Sequence, residues 1–171
     1  MRAFLIDTDT ASDDAVAILM ALAAPDVRVL GLTTVAGNVG LEQATRNALY
    51  TLEVAGSDVP VFPGAAAPLI RRHEDAHWFH GHDGFGDRGY PAPQRAAERE
   101  PAVEALLRLA HQHPGLTLVT LGPLTNVALA LARDPAFAKK IGRCVVMGGA
   151  PCCEGNVTPA AEYNILSLIH I

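Results

Sequence analysis

The chain has 171 residues, half of them hydrophobic and 18% charged, which is the composition of one globular domain with a substantial core. Its formal net charge of −5, with no block of Lys or Arg, argues against a nucleic-acid partner. Asp7 and Asp9 interrupt any secretory leader, the apolar run Ala15 to Ala24 is too short to span a bilayer, and three cysteines (Cys144, Cys152, Cys153) make no disulfide framework. The expected location is the cytoplasm, with no membrane partner.

Phe4-Leu5-Ile6 reads as a central strand that runs into four carboxylates within eight residues: Asp7, Asp9, Asp13 and Asp14. Like charges this close repel, so a fold that gathers them must supply a cation or strong donors. Oxygen ligands of this kind suit a hard divalent ion, calcium or magnesium. Ser12 is placed to cap a helix whose first turn holds Asp13 and Asp14, where the helix dipole favours negative charge, and Pro25 stops that helix after Ala24. A strand is expected over Val27 to Val35, ending at Ala36-Gly37-Asn38. A helix follows over Leu41 to Ala55, and a short strand over Val59 to Phe62 is closed by Pro63-Gly64.

Ala65 to Glu98 lacks periodicity and holds four of the seven histidines (His73, His77, His80, His82), as a long functional loop does. Helix is then expected over Glu98 to His113, strand over Leu116 to Leu121, helix over Pro123 to Arg133 and strand over Ile141 to Met147, ending in Gly148-Gly149. Alternating strands and helices imply an α/β fold, an open, mostly parallel sheet covered on both faces. Ligands of such sheets bind beyond the carboxyl ends of the strands. The polar residues that follow the strands are the four aspartates, Asn38, Thr125-Asn126, and the run Gly155 to Asn164 with Asn156 and Glu162. Together they describe an oxygen-rich pocket for a cation and a polyhydroxylated ligand.

Six motifs in order carry a resemblance. They are Asp7-x-Asp9-x-x-x-Asp13-Asp14, Val35-Ala36-Gly37-Asn38, His80-Gly81, Leu121-Gly122-Pro123-Leu124-Thr125-Asn126, Met147-Gly148-Gly149-Ala150, and Gly155-Asn156 running to Ala161-Glu162-Tyr163-Asn164. Over nearly its whole length the chain resembles the calcium-dependent, inosine-uridine preferring nucleoside hydrolases. That resemblance implies a Rossmann-like nucleoside hydrolase fold and hydrolysis of the N-glycosidic bond of ribonucleosides to free base and ribose. It implies Ca2+ bound by Asp9, Asp14 and the main-chain carbonyl of Leu121, with Asp9 as general base on a calcium-bound water. Asp13, Asn38, Asn156, Glu162 and Asn164 would hold the ribose hydroxyls, His80 would sit on a substrate loop, and Asp7 would orient the aspartate loop from behind. A small-molecule ribonucleoside is the implied partner, and a homo-oligomer the implied state at full length.

Two departures from the family pattern carry expectations. Thr10-Ala11 stands where the family has Pro-Gly, and an alanine forced to positive φ costs about 1 kcal/mol. Family members are also longer, with a fourth aspartate ligand and a histidine near the leaving base beyond the part matched here. Residues 1–165 therefore read as the N-terminal part of one domain. Residues 166–171, Leu166-Ser167-Leu168-Ile169-His170-Ile171, read as a non-native tail, since one frame of a sequencing-library transposon adapter (CTG TCT CTT ATA CAC ATC) encodes them.

Other readings of the same residues are distinct. Asp7-Thr8-Asp9 after a strand also resembles the haloacid dehalogenase-like phosphatases, which leaves Asp13-Asp14 and the Asn156 to Asn164 run without a role. A non-catalytic nucleoside or ribose binder is the third reading. His80 with His82 could form a metal pair, although His82, His73 and His77 read as surface residues. Trp78 and Phe79 could close over the base or pack the loop. Cys152-Cys153 reads as an incidental pair, and Thr125 and Asn126 as residues that fix the local turn.

Overall fold

The computed structural model describes residues 1–70, 72–150 and 152–166, with residue 166 described by its backbone alone; of the expected tail 166–171, residues 167–171 lie outside the described residues. Five strands form one sheet in the order β3-β2-β1-β4-β5, and every pairing is parallel. They are β1 (Arg2–Thr8), β2 (Val27–Thr34), β3 (Val61–Pro63), β4 (Leu116–Thr120) and β5 (Ile141–Val146). The helices between them are α1 (Ser12–Ala23), α2 (Leu41–Val54), α3 (His77–His80), α4 (Ala102–Gln112) and α5 (Thr125–Arg133), and α6 (Tyr163–Leu166) follows β5.

The two-residue period of the strands divides the core into two layers. Leu5, Phe62, Leu116 and Leu118 face α4 and α5, packing with Leu106, Leu109, Ala130 and Phe137. Ile6, Leu32 and Val61, from the other parity, pack with Ile18 of α1 and Ala48, Leu49 and Leu52 of α2. Helices on both faces therefore follow directly from strands that are apolar at successive positions. The strand order reverses between β1 and β4, and a crevice opens there beyond the carboxyl ends of the strands.

Several boundaries differ from the sequence reading. The aspartate strand is longer and runs through Thr8. Ser12 is the first residue of α1 rather than its cap; Ala11 takes the cap position, and its N–H donates to Asp14 Oδ2 at 3.2 Å. Ala11 is extended, with φ −99°, so alanine meets no backbone penalty where the family has glycine. The helix expected from Glu98 begins at Ala102, because Pro101 fits the N-terminal flank and cannot sit inside a helix. Similarly, α5 begins at Thr125, past Pro123. Among the described residues no helix is long and apolar enough to cross a membrane. Cys144, Cys152 and Cys153 are free and exposed.

Asn126 does not fix a local turn. Its Nδ2 donates to Asp7 Oδ1 at 2.8 Å and to the Thr34 carbonyl at 2.9 Å, and its Oδ1 accepts from Ala65 N–H at 2.9 Å. One fully buried amide thus ties β1, β2 and the segment after β3 to the start of α5. Asn126→Ala removes three hydrogen bonds at once, two of them buried. It is expected to cost about 3 kcal/mol or more, and to lower the midpoint of thermal unfolding by on the order of 10 °C. A melting curve within 2–3 °C of wild type would contradict this.

Candidate functional site

β1 ends in the buried residues Asp7 and Thr8, and Asp9, Thr10 and Asp14 beyond it are also buried. Asp9 is fully buried; Asn38 N–H, from the turn after β2, donates to its Oδ2 at 2.6 Å, while its Oδ1 has no partner. Two glycines let the backbone close around this carboxylate. A Cβ on Gly37 would lie 2.1 Å from Oδ2, and one on Gly122 would lie 2.5 Å from Oδ1. Asp14 Oδ2 accepts from Thr8 Oγ1 at 3.1 Å, and the Thr8 and Thr10 hydroxyls are 3.1 Å apart. Since Thr8 gives its proton to Asp14, the Thr10 hydroxyl is the donor of that second bond.

Burial pushes the Asp9 carboxyl above the usual carboxylate range, and the Asn38 N–H offsets part of that shift. Asp14 is pushed well above it by burial and then by the charge of Asp9. Two buried carboxyl groups this close cannot both ionise without a counter-charge. The Gly122 backbone packs against Asp9, and the Leu121 carbonyl before it accepts from Asn164 Nδ2 at 2.9 Å. Among the described residues no three His, Cys, Asp or Glu side chains cluster to hold a metal. The available set is instead two carboxylates, all oxygen, and Asp9 Oδ1 is an orphaned buried acceptor. That donor set fits a hard divalent cation.

Asp7 stands behind this pair. Its Oδ1 accepts from Thr33 Oγ1 at 2.5 Å and from Asn126, its Oδ2 has no partner, and burial raises its pKa to about 7 against those two bonds. The metal-free fold therefore holds the Asp7 proton more tightly than the unfolded chain does. The stability this contributes is complete below about pH 4 and is lost as pH rises towards about 7. In chelator, the unfolding midpoint is expected to fall by several degrees between these limits. Asp7→Asn should flatten that fall, and an unchanged slope in the variant would count against the assignment.

Asp13, at the start of α1, borders a cavity of about 180 Å³. Asp13, Asn38, His80, Asn156, Glu162 and Asn164 all line it, so the five residues expected at the sugar and the loop residue His80 share one space. Ala76, Trp78, Phe79, Met147, Val157 and Tyr163 complete its lining. Trp78 and Phe79 are 78% and 71% exposed, so they stand at the rim and do not pack the loop down. Several of the polar residues are held by backbone. Glu162 accepts from the N–H groups of Gly149, Asn164 and Ile165, Asn156 Oδ1 accepts from Tyr163 N–H, and Asn164 Nδ2 donates to the carbonyls of Leu121 and Met147.

Two residues gain roles that the sequence reading did not give them. His73 is not simply on the surface: its Nε2 lies 2.7 Å from the Gly37 carbonyl, to which it must donate. The Tyr163 hydroxyl reaches the same carbonyl at 2.9 Å, and the Glu74 carbonyl as well. Together they fasten the turn that presents Asn38 N–H to Asp9. Burial, followed by the charge of Asp9, pushes the Tyr163 hydroxyl up, which keeps it a donor. His82 rests against the His77 ring at 4.9 Å.

Comparison with known proteins fits this geometry. The family model described as inosine-uridine preferring nucleoside hydrolase matches residues 4–167. Uridine nucleosidase 1 of Arabidopsis thaliana is 49% identical over 94% of this chain and 49% of its own length. The solved structure of the plant nucleoside hydrolase PpNRh1 superposes with a TM-score of 0.92 at 43% identity, over 97% of this chain and 54% of that one. A purine-preferring ribonucleoside hydrolase from Gardnerella vaginalis gives a TM-score of 0.93 at 35% identity, over 97% of this chain and 54% of that one. The chain thus spans about half the length of the curated relatives it matches. With the motifs, the all-parallel sheet and the site at its switch point in agreement, the chain belongs to the inosine-uridine preferring nucleoside hydrolase family.

Proposed function

We propose that the protein hydrolyses the N-glycosidic bond of ribonucleosides, releasing free base and ribose, and that residues 1–165 are the N-terminal part of its single domain. The observation that carries this reading is the fully buried Asp9, whose Oδ1 is unpartnered and whose Oδ2 is held by the N–H of Asn38, a residue that lines one cavity with Asp13, Asn156, Glu162 and Asn164. Asp9, Asp14 and the Leu121 carbonyl would hold the cation, calcium by family. When bound, calcium supplies charge that lowers the pKa of the attacking water, and coordination sites for ribose hydroxyls.

The chain's own residues account for the rest. Asp9 Oδ1 is free to take a proton from water, because Oδ2 is already engaged by Asn38 N–H. Asp13, exposed at the start of α1, brings a further carboxylate to the cavity. Cleavage builds positive charge on the sugar, as in the oxocarbenium-like transition states of glycosidases, and the nearby carboxylates stabilise it. Asn38, Asn156, Glu162 and Asn164 orient the hydroxyls that hold the ring in place. His80, with Trp78 and Phe79, borders the open side of the cavity, where the base would lie.

The relatives are named for uridine, for purines and as non-specific enzymes, so both inosine and uridine belong in the test. The product of the complete gene is incubated with each in calcium, and free base and reducing sugar are followed. Release that stops on chelation and returns with calcium is expected. Binding without release would favour the non-catalytic binder. The phosphatase reading has lost its basis with the family assignment, and phosphate release from a phosphomonoester would be needed to revive it.

A further inference from the structure

Asparagine is a poor helix former, because its side chain competes for backbone groups, yet Asn47 lies in the middle of α2 and is 3% exposed. Its amide makes three long-range or cross-turn bonds. Nδ2 donates to the Thr10 carbonyl at 2.9 Å and to the Asp83 carbonyl at 2.8 Å, and Oδ1 accepts from Gln43 Nε2 at 2.8 Å. Thr10 directly follows Asp9. Asp83 belongs to the loop that carries Trp78, Phe79 and His80, and its own Oδ1 accepts from Phe85 N–H and Asp87 N–H to shape that loop. Gly84 allows the approach: it has φ +74°, and a Cβ there would lie 2.9 Å from Asn47 Nδ2.

The same loop is fastened at its other end by Ala76 N–H, which donates to the Asn38 carbonyl at 2.9 Å. Asn38 is the residue whose own N–H holds Asp9. The rim loop is therefore tied to both sides of the Asp9 segment, once through the Asn38 turn and once through Asn47. We propose that Asn47 is a positioning residue, whose amide sets the rim loop and the Asp9 segment in one fixed relation. A violation of local helix preference with every polar atom satisfied is the pattern of a residue kept for its site rather than for its helix. The proposal rests on the ribonucleoside reading of the cavity only for its kinetic consequences.

The test compares Asn47→Leu, which keeps the bulk and removes both donors, with Gly84→Ala, which disturbs the same contact from the loop. Thr51→Ala is the control: Thr51 is buried on the same helix and bonds only the Asn47 carbonyl. In the complete gene product, Asn47→Leu and Gly84→Ala are expected to lower kcat/KM about tenfold or more, with KM raised. Hydrogen exchange of residues 77–90 should quicken in both. Thr51→Ala should keep kcat and KM within about twofold of wild type, whatever it does to thermal stability.

Kinetics and loop exchange in Asn47→Leu that match Thr51→Ala would overturn the proposal. If Asn47→Leu does not fold, Gly84→Ala decides by the same measures. If the wild-type protein releases no base, the hydrolase reading fails on its own. Loop exchange in Asn47→Leu then decides alone, where quickening supports the tie and no change overturns it.

Discussion

Asp9→Asn is expected to lower base release from inosine and uridine by about 10³-fold or more, and at the same time to raise the thermal stability of the metal-free protein at neutral pH. Both effects have one cause. Asparagine keeps the shape of the side chain and an oxygen for the Asn38 N–H, but it cannot take a proton and brings no charge to a cation. Burial has pushed the Asp9 carboxyl above its usual range, so holding it ionised at neutral pH opposes folding, and Asp14 nearby adds repulsion. Removing the charge relieves that cost, worth a few degrees in the unfolding midpoint. Calcium should stabilise wild type by mass action and should do so much less in the variant. Activity within tenfold of wild type would remove Asp9 from the mechanism. A midpoint several degrees lower in chelator would show that the carboxylate stabilises the bare fold.

The sheet was legible because its signal is local. Short β-branched runs between helical stretches define strands, and parallel pairing follows from the alternation. The candidate site was legible for a related reason: the ends of parallel strands lie on one edge, so polar residues after each strand must meet. Asp9, Asn38 and Gly122 do meet, from the ends of β1, β2 and β4. Bonds spanning long sequence separations were not legible. Asn126 looks like a helix-start residue in its own neighbourhood, but its partners Asp7 and Thr34 lie 119 and 92 residues away.

Asn47 left a trace that could have been read. It falls on the face of α2 that also carries Ala44, Ala48 and Thr51, all buried, so a polar residue on that stripe requires buried partners. Tyr163 left none, since nothing near it in the sequence indicates the Gly37 carbonyl. Ala11 shows the opposite error. A glycine in related sequences invited an argument from positive φ, but the backbone here is extended and the concern disappears.

Gly37→Ala carries the other large expected effect, and it separates position from charge. Gly37 has no positive φ, so the objection to a side chain there is space alone. The added Cβ would meet Asp9 Oδ2 at 2.1 Å and the Asp9 Cβ and Cγ at 2.7 Å. The Gly122 backbone lies against the other side of the carboxylate, close enough that a Cβ there would meet Oδ1 at 2.5 Å, so Asp9 has little room to swing aside. Either the Gly37-Asn38 turn or the carboxylate must move, and the Asn38 N–H contact is lost in either case. The overpacking should cost about 1–3 kcal/mol. A displacement near 1 Å at the reacting group should lower kcat about 100-fold. Gly40→Ala is the matched control: nothing lies within 4 Å of its added Cβ, so its kinetics should stay near wild type. Near-normal activity and an intact calcium response in Gly37→Ala would show that the turn yields easily. The expected pair is instead a large loss of activity in both Asp9→Asn and Gly37→Ala, with opposite changes in metal-free stability. One variant removes the charge and keeps the packing. The other keeps the charge and misplaces it, so the two together show that catalysis at this site depends on where the carboxylate is held as well as on its presence.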